Sequence, residues 1–172
     1  MNTSKVYQSI IKIVNAYQAK LRTKGEEEFV LTPPIGGWSY SEVYSHIFDS
    51  SLLSLMALNN CIIGEGKIKP THFVTKMILF FGMLPPGKKY KVPKRLADRV
   101  KKINLMAAQQ FITDFELQLL KLQPAVDQAD PKIKVKHPRL GYLNAKQWLR
   151  FIEIHLKHHL KQLERIEKSF QA

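Results

Sequence analysis

A chain of 172 residues, 45% hydrophobic and 24% charged, has the composition of an ordinary folded protein and the length of one domain spanning residues 1–172, which excludes disorder and a membrane-embedded chain. The net charge of +13, from 27 Lys and Arg against 14 Asp and Glu, leaves nucleic acid, anionic lipid and anionic small molecules as partners to weigh. No aromatic-rich strand motif or recognition-helix signature accompanies it, so nucleic acid is not the expected partner.

Four long segments have helical periodicity. From about Ser4 to Thr23, Val6, Ile10, Ile13, Val14, Tyr17 and Leu21 recur at three- and four-residue steps and form one apolar stripe. TPPIGGW, Thr32 to Trp38, breaks the chain. Ser39-Tyr40-Ser41-Glu42 has capping-box spacing and opens a second helix expected to run to about Asn60. Between Ile63 and Arg95 the pattern is irregular, with a short helix in THFVTKMILFFG before the basic, proline-containing LPPGKKYKVPKR. This is the longest irregular connection, an expected excursion or lid between helices 2 and 3. A third helix is predicted from about Ala97 to Leu122, on Val100, Ile103, Leu105, Met106, Phe111, Phe115, Leu119 and Leu122. Of the following connection only KIKVKH, Lys132 to His137, alternates like a strand. Asn144-Ala145-Lys146-Gln147 again has capping-box spacing and begins a last helix reaching about Phe170. Four helices of roughly 20 residues, each about 30 Å long, suit an all-α four-helix bundle.

The last helix gathers three of the six histidines in EIHLKHHLKQLERI, residues 153–166. At 100° per residue His155 and His159 share a face with Trp148, Ile152, Leu163 and Ile166, and His158 points away. Two imidazoles in an apolar interior need hydrogen bonds or a metal. The bland alternative is a backbone carbonyl or side-chain partner for each ring, or a rotated helix with both solvated. His46, in line with Val43, Ser50, Leu53 and Ala57 on the second helix, adds a third inward nitrogen. Three histidines with a position left to water is the composition of a catalytic-type zinc site. Leu156 follows His155 where an HExxH metalloprotease has glutamate, and the C-terminal part has no CxxC for a zinc finger.

GGWSYSEVYSHIFDSS, followed about 110 residues later by WLRFIEIHLKHHLKQLERI, resembles the DinB-like metal-dependent four-helix bundles, including proteins of the YfiT type. The resemblance covers the whole chain in helix order, and its specific part is a Trp-Ser helix start with a histidine eight residues after the tryptophan, then H-x-x-H-H-x-x-Q. HPRLGYLNAKQWLRFIEIHLKHHLKQL also looks like a subgroup carried as a domain of unknown function. By that resemblance His46, His155 and His159 are the metal ligands, His158 does not bind metal, and Gln162 stands either behind the ligands or on a polar flank. The resemblance further implies a low-molecular-weight thiol cosubstrate, with thiol S-transferase, thiol-dependent isomerase or hydrolase chemistry on a small molecule. A divalent metal would supply a nucleophile at neutral pH by lowering the pKa of a thiol or water. Zn, Ni, Fe and Mn all suit such a site. The long basic connection and the cationic surface depart from the family pattern, and the surface would steer an anionic cosubstrate. Glu42, Asp49 and Glu153 are near the ligands in sequence, and helical angle assigns none of them as acid or base.

The alternative to an enzyme is a basic binding module for nucleic acid or an anionic membrane surface. Lys88, Lys89, Lys91, Lys94, Arg95, Arg99, Lys101 and Lys102 cluster in sequence, and a solvated face is the expected reading. Ile78, Phe80, Phe81 and Leu84 are expected to pack over the bundle end, ahead of a homodimer contact and then a membrane contact. Cys61, the single cysteine, has no internal disulfide partner, and the N-terminal residues lack the features of a secretory signal. No apolar run reaches the ~18 residues of a membrane span, so a cytoplasmic protein is expected.

Overall fold

A computed structural model describes residues 1–85 and 98–171. Four long helices dominate: α1 (Thr3–Arg22), α3 (Tyr40–Ile62), α5 (Leu105–Leu122) and α6 (Ala145–Gln171). Two shorter ones, α2 (Glu26–Val30) and α4 (Phe73–Phe81), lie in the connections. The protein is an all-α four-helix bundle with a minor sheet.

Helix α3 packs chiefly on α6 and α5, and α1 packs on the same two. Helices α1 and α3 therefore face each other across the bundle diagonal. Aromatic side chains fill the space between them. Phe48 meets Tyr17 and Phe115 edge-on, at centroid distances of 5.3 and 5.9 Å, and Tyr17 meets Tyr44 at 5.5 Å. The phenols of Tyr17 and Tyr44 both have backbone acceptors, as buried hydroxyls require. Tyr17 donates to the Leu156 carbonyl at 2.8 Å and Tyr44 to that of Tyr17 at 2.7 Å.

Both predicted capping boxes are formed. The Ser39 Oγ accepts from the Glu42 N–H, and Glu42 accepts from the Ser39 N–H at 2.9 Å. Asn144 and Gln147 make the same exchange, both bonds at 3.0 Å, at the start of α6. Ser39→Ala is expected to cost about 1 kcal/mol, read from urea unfolding, and an unchanged midpoint would show that Glu42 alone holds the turn.

Helix α5 starts at Leu105, eight residues after the predicted Ala97. Ile103 exchanges two bonds with the Ser41 hydroxyl, donating its N–H at 2.6 Å and accepting at its carbonyl at 2.7 Å. Asn104 then caps the helix by accepting the Ala107 N–H at 2.8 Å. Residues 98–104 are thus tied across to α3, and the spacing of Val100 and Ile103 reflects that docking, not a helical face. Ala97 and the run Lys88, Lys89, Lys91, Lys94 and Arg95 lie outside the described residues.

The strand predicted in KIKVKH is β2 (Ile133–His137), and it has partners that sequence periodicity missed. It pairs antiparallel with β1 (Lys67–Ile68) and with β3 (Gly141–Leu143), in the registers Lys67↔Lys134 and Lys136↔Tyr142. Both partners are too short to show alternation. The sheet binds the excursion after α3 to the connection before α6. Gly141, at φ 73°, ends the tight β2–β3 turn and lets the His72 ring lie against its Cα, where a side chain would collide.

No helix among the described residues is long and apolar enough to cross a membrane.

Candidate metal centre

Trp148, Ile152, Leu163 and Ile166 are all at most 3% exposed, so α6 turns the predicted face inward and carries His155 and His159 with it. On α3 the buried face is offset from the prediction. It runs through Val43, Tyr44, Ile47, Ser51, Leu55 and Leu58, while Ser50, Leu53 and Ala57 are half-buried. His46 sits at the edge of that face, buried, and meets the α6 pair there. One nitrogen from each of His46, His155 and His159 lies within 4.8 Å of the others, and among the described residues no carboxylate or thiol joins the cluster.

The rings are held by packing and by two contacts at hydrogen-bond distance. Trp38, just before the α3 cap, lies 5.0 Å from the His46 ring and stacks on His159 at 6.4 Å. Phe151, one turn before His155, stacks on it at 5.3 Å. The Gln162 carboxamide oxygen lies 2.8 Å from Nδ1 of His159. With that oxygen as acceptor, His159 carries its proton on Nδ1 and presents a lone pair at Nε2. That Nε2 is 3.1 Å from Nε2 of His155. Two nitrogens each about 2.0–2.1 Å from one ion stand about 2.9–3.4 Å apart for angles between octahedral and tetrahedral. The Nε2–Nε2 spacing fits a shared cation; Nδ1 of His155, the nitrogen turned away from that pair, is buried with no hydrogen-bond partner among the described residues. Gln162 therefore backs a ring of the cluster.

Burial keeps these rings neutral. It pushes His46 down to about 4, with Asp49 opposing and His158 adding to the shift. His155 and His159 lie well below the usual histidine range, first through burial and then through the neighbouring rings, with Gln162 opposing at His159. Neutral imidazole is the form that binds metal. His158 is half-buried with its ring 5.1 Å from His159, and it stays outside the cluster.

The three acidic residues near the ligands in sequence are engaged elsewhere. Glu42 caps α3, and Asp49 takes a bidentate pair from Arg99 at 2.6 and 2.7 Å. Glu153, 2% exposed, lies between Arg150 and Lys157. Burial pushes its carboxyl up, but hydrogen bonds from Lys157, Ser9 and Arg150 prevail and hold it below the usual range. Cys61 is buried away from the cluster, its thiol pushed up to about 11 by burial.

His137, a residue that sequence reasoning passed over, lies next to this centre. Its ring packs 4.5 Å from Phe151, which in turn stacks on His155. Its Nδ1 accepts the N–H groups of Arg139 and Leu140 at 3.1 and 3.0 Å, so the neutral ring carries its proton on Nε2. Strand pairing beyond the reach of helical periodicity brings it here.

Three histidines drawn from two packed helices come together in a four-helix bundle whose structural neighbours are bundle proteins of the DinB/YfiT type. The sequence matches, over residues 10–166, the family described as "Protein of unknown function (DUF1569)", and the chain belongs to that family. No curated protein matches it. Solved structures share the fold at low identity. "TT2238, a four-helix bundle protein" is 18% identical over 95% of this chain and 99% of its own, with a TM-score of 0.62. The "mycothiol-dependent maleylpyruvate isomerase" is 14% identical over 95% of this chain, with a TM-score of 0.64, and this chain spans 61% of its length. "YfiT from Bacillus subtilis", described as "a probable metal-dependent hydrolase with an unusual four-helix bundle topology", is 14% identical over 98% of this chain and 87% of its own, with a TM-score of 0.58.

Proposed function

We propose that His46, His155 and His159 hold one divalent metal and that the protein is a metal-dependent enzyme acting on a small molecule, by hydrolysis or by thiol-dependent transfer or isomerisation. The observation that carries this reading is the convergence of three neutral imidazoles, those of His46 and His159 buried and that of His155 half-buried, with His159 fixed by Gln162. The metal-dependent and thiol-dependent chemistry described for two proteins of the same fold agrees with it. Bound there, a divalent ion lowers the pKa of a water or thiol enough to supply a nucleophile at neutral pH.

The chain's own residues set the conditions for that chemistry. Trp38 and Phe151 wall the histidines with aromatic faces, which limits water and keeps the rings neutral. Asp49 on α3 offsets part of the burial effect at His46 through its negative charge. Glu42, Asp49 and Glu153 are paired elsewhere, so none of the three stands ready as an acid or base at the cluster.

Gln162→Leu is expected to weaken metal binding about 10- to 100-fold while leaving the fold intact, because His159 loses the partner that fixes its tautomer. Competition with a chromogenic zinc chelator measures this, and equal affinities would show that the Gln162 contact is incidental. The class of reaction is tested by assaying metal-loaded protein for ester or amide hydrolysis and for consumption of low-molecular-weight thiols with electrophiles, beside His155→Ala. Activity that survives the loss of metal would reject the reading.

A further inference from the structure

Helix α4 is bound to the bundle by one face only. Thr75, Ile78 and Leu79 are buried, Thr75 donates to the Leu140 carbonyl at 2.7 Å, and Arg150 donates to that of Leu79 at 3.0 Å. The helix ends at Gly82, whose φ of 70° turns the chain and leaves room for the Arg150 guanidinium. The opposite face is apolar and open. Phe80 keeps 78% of its surface exposed, Phe73 74%, Val74 64%, Met83 62% and Phe81 60%. The expectation that Phe80 and Phe81 pack over the bundle end is therefore corrected, since the turn that buries Ile78 and Leu79 directs both phenylalanines outward. At about 200 Å² per ring, the three phenylalanines alone present roughly 400 Å² of apolar surface, an extent that marks interaction sites.

The charges around this face select among occupants. Glu65–Pro85 and the paired strand Ile133–His137 carry Lys67, Lys69, Lys76, Lys134 and Lys136 against a single acidic residue, Glu65. Lys67, Lys69, Lys76 and Lys136 are exposed. In a two-fold dimer the face would meet itself and set cations against cations. An anionic lipid surface offers what such a face lacks, a layer of negative headgroups above an apolar interior.

We propose that the exposed face of α4 docks on an anionic membrane surface, with Phe73, Phe80 and Phe81 entering the headgroup boundary and the neighbouring lysines engaging the headgroups. None of the exposed residues of this face belongs to the three-histidine cluster, which draws on α3 and α6.

The test is co-sedimentation of the full chain with vesicles of phosphatidylcholine alone or mixed with phosphatidylserine, at low and high salt, for wild type and Phe80→Ser/Phe81→Ser. Wild type is expected to partition at least about tenfold more strongly onto the mixed vesicles, and to lose that advantage in high salt and in the double variant. Both replaced side chains are exposed, so circular dichroism and metal content should match wild type. Wild type that does not sediment with the mixed vesicles, or a variant that binds as well as wild type, overturns the proposal. So does a dimer that dissociates in the variant while neither protein binds vesicles, which assigns the face to a second copy. None of these outcomes bears on the metal centre, whose content is measured separately.

Discussion

Wild-type protein purified without chelator is expected to carry about one divalent ion per chain, and His155→Ala to carry less than about a tenth of that, because removing one of three nitrogens leaves too few ligands to compete with water. His46→Ala and His159→Ala should behave alike. His158→Ala should keep its metal, since that ring touches His159 at 5.1 Å but stays outside the cluster. The set separates loss of ligands from loss of fold, because all four substitutions remove the same group from the same two helices. Chelation of the wild type should also lower its melting temperature, as removal of any ligand specific to the native state does, by the equivalent of about 3 kcal/mol if the ion was present at a hundred times its dissociation constant. Elemental analysis decides the matter. Full stoichiometry in all three ligand variants, or no metal in wild type after incubation with zinc or nickel, would leave the histidines as packing residues.

Acid should destabilise the metal-free protein well above the range in which carboxylates titrate. His46 and His137 are pushed down to about 4 by burial, and His155 and His159 lie well below the usual range for the same reason. In the unfolded chain all four titrate near 6.5. The unfolded state therefore binds protons first as pH falls, so the stability is complete above about pH 6.5 and is lost progressively toward about pH 4. A depression from about 6.5 to about 4 corresponds to roughly 3 kcal/mol for each such ring, and unfolding near pH 5 should be accompanied by net proton uptake. Glu153 and Glu167, held below the usual carboxylate range, add a separate loss only at lower pH. Urea midpoints at about pH 7.5, 6 and 5 measure the effect. A flat profile across that interval would mean that the rings are solvated in the native state.

The long helices were legible because their signals are local. The capping boxes at Ser39 and Asn144 depend on residues three apart, and the apolar stripes of α1 and α6 follow from 3.6 residues per turn. The same periodicity paired His155 with His159 and directed both inward along Trp148, Ile152, Leu163 and Ile166. Local reasoning failed where a partner lay far away in sequence. Residues 98–104 read as helix until Ser41 and Ser45 on α3 supply their hydrogen bonds. Strands β1 and β3, two and three residues long, exist only because β2 pairs with both.

By itself the sequence determined an all-α bundle, the inward pair on the last helix and the candidate third histidine, because helical angle and capping chemistry depend on neighbours within a turn or two. Only the tertiary structure decided that His46 meets that pair, that Gln162 fixes the His159 proton, that His137 stands beside Phe151, and that Phe80 and Phe81 face outward. Each of these is a matter of how elements from distant parts of the chain pack, and packing depends on the side chains of both partners at once.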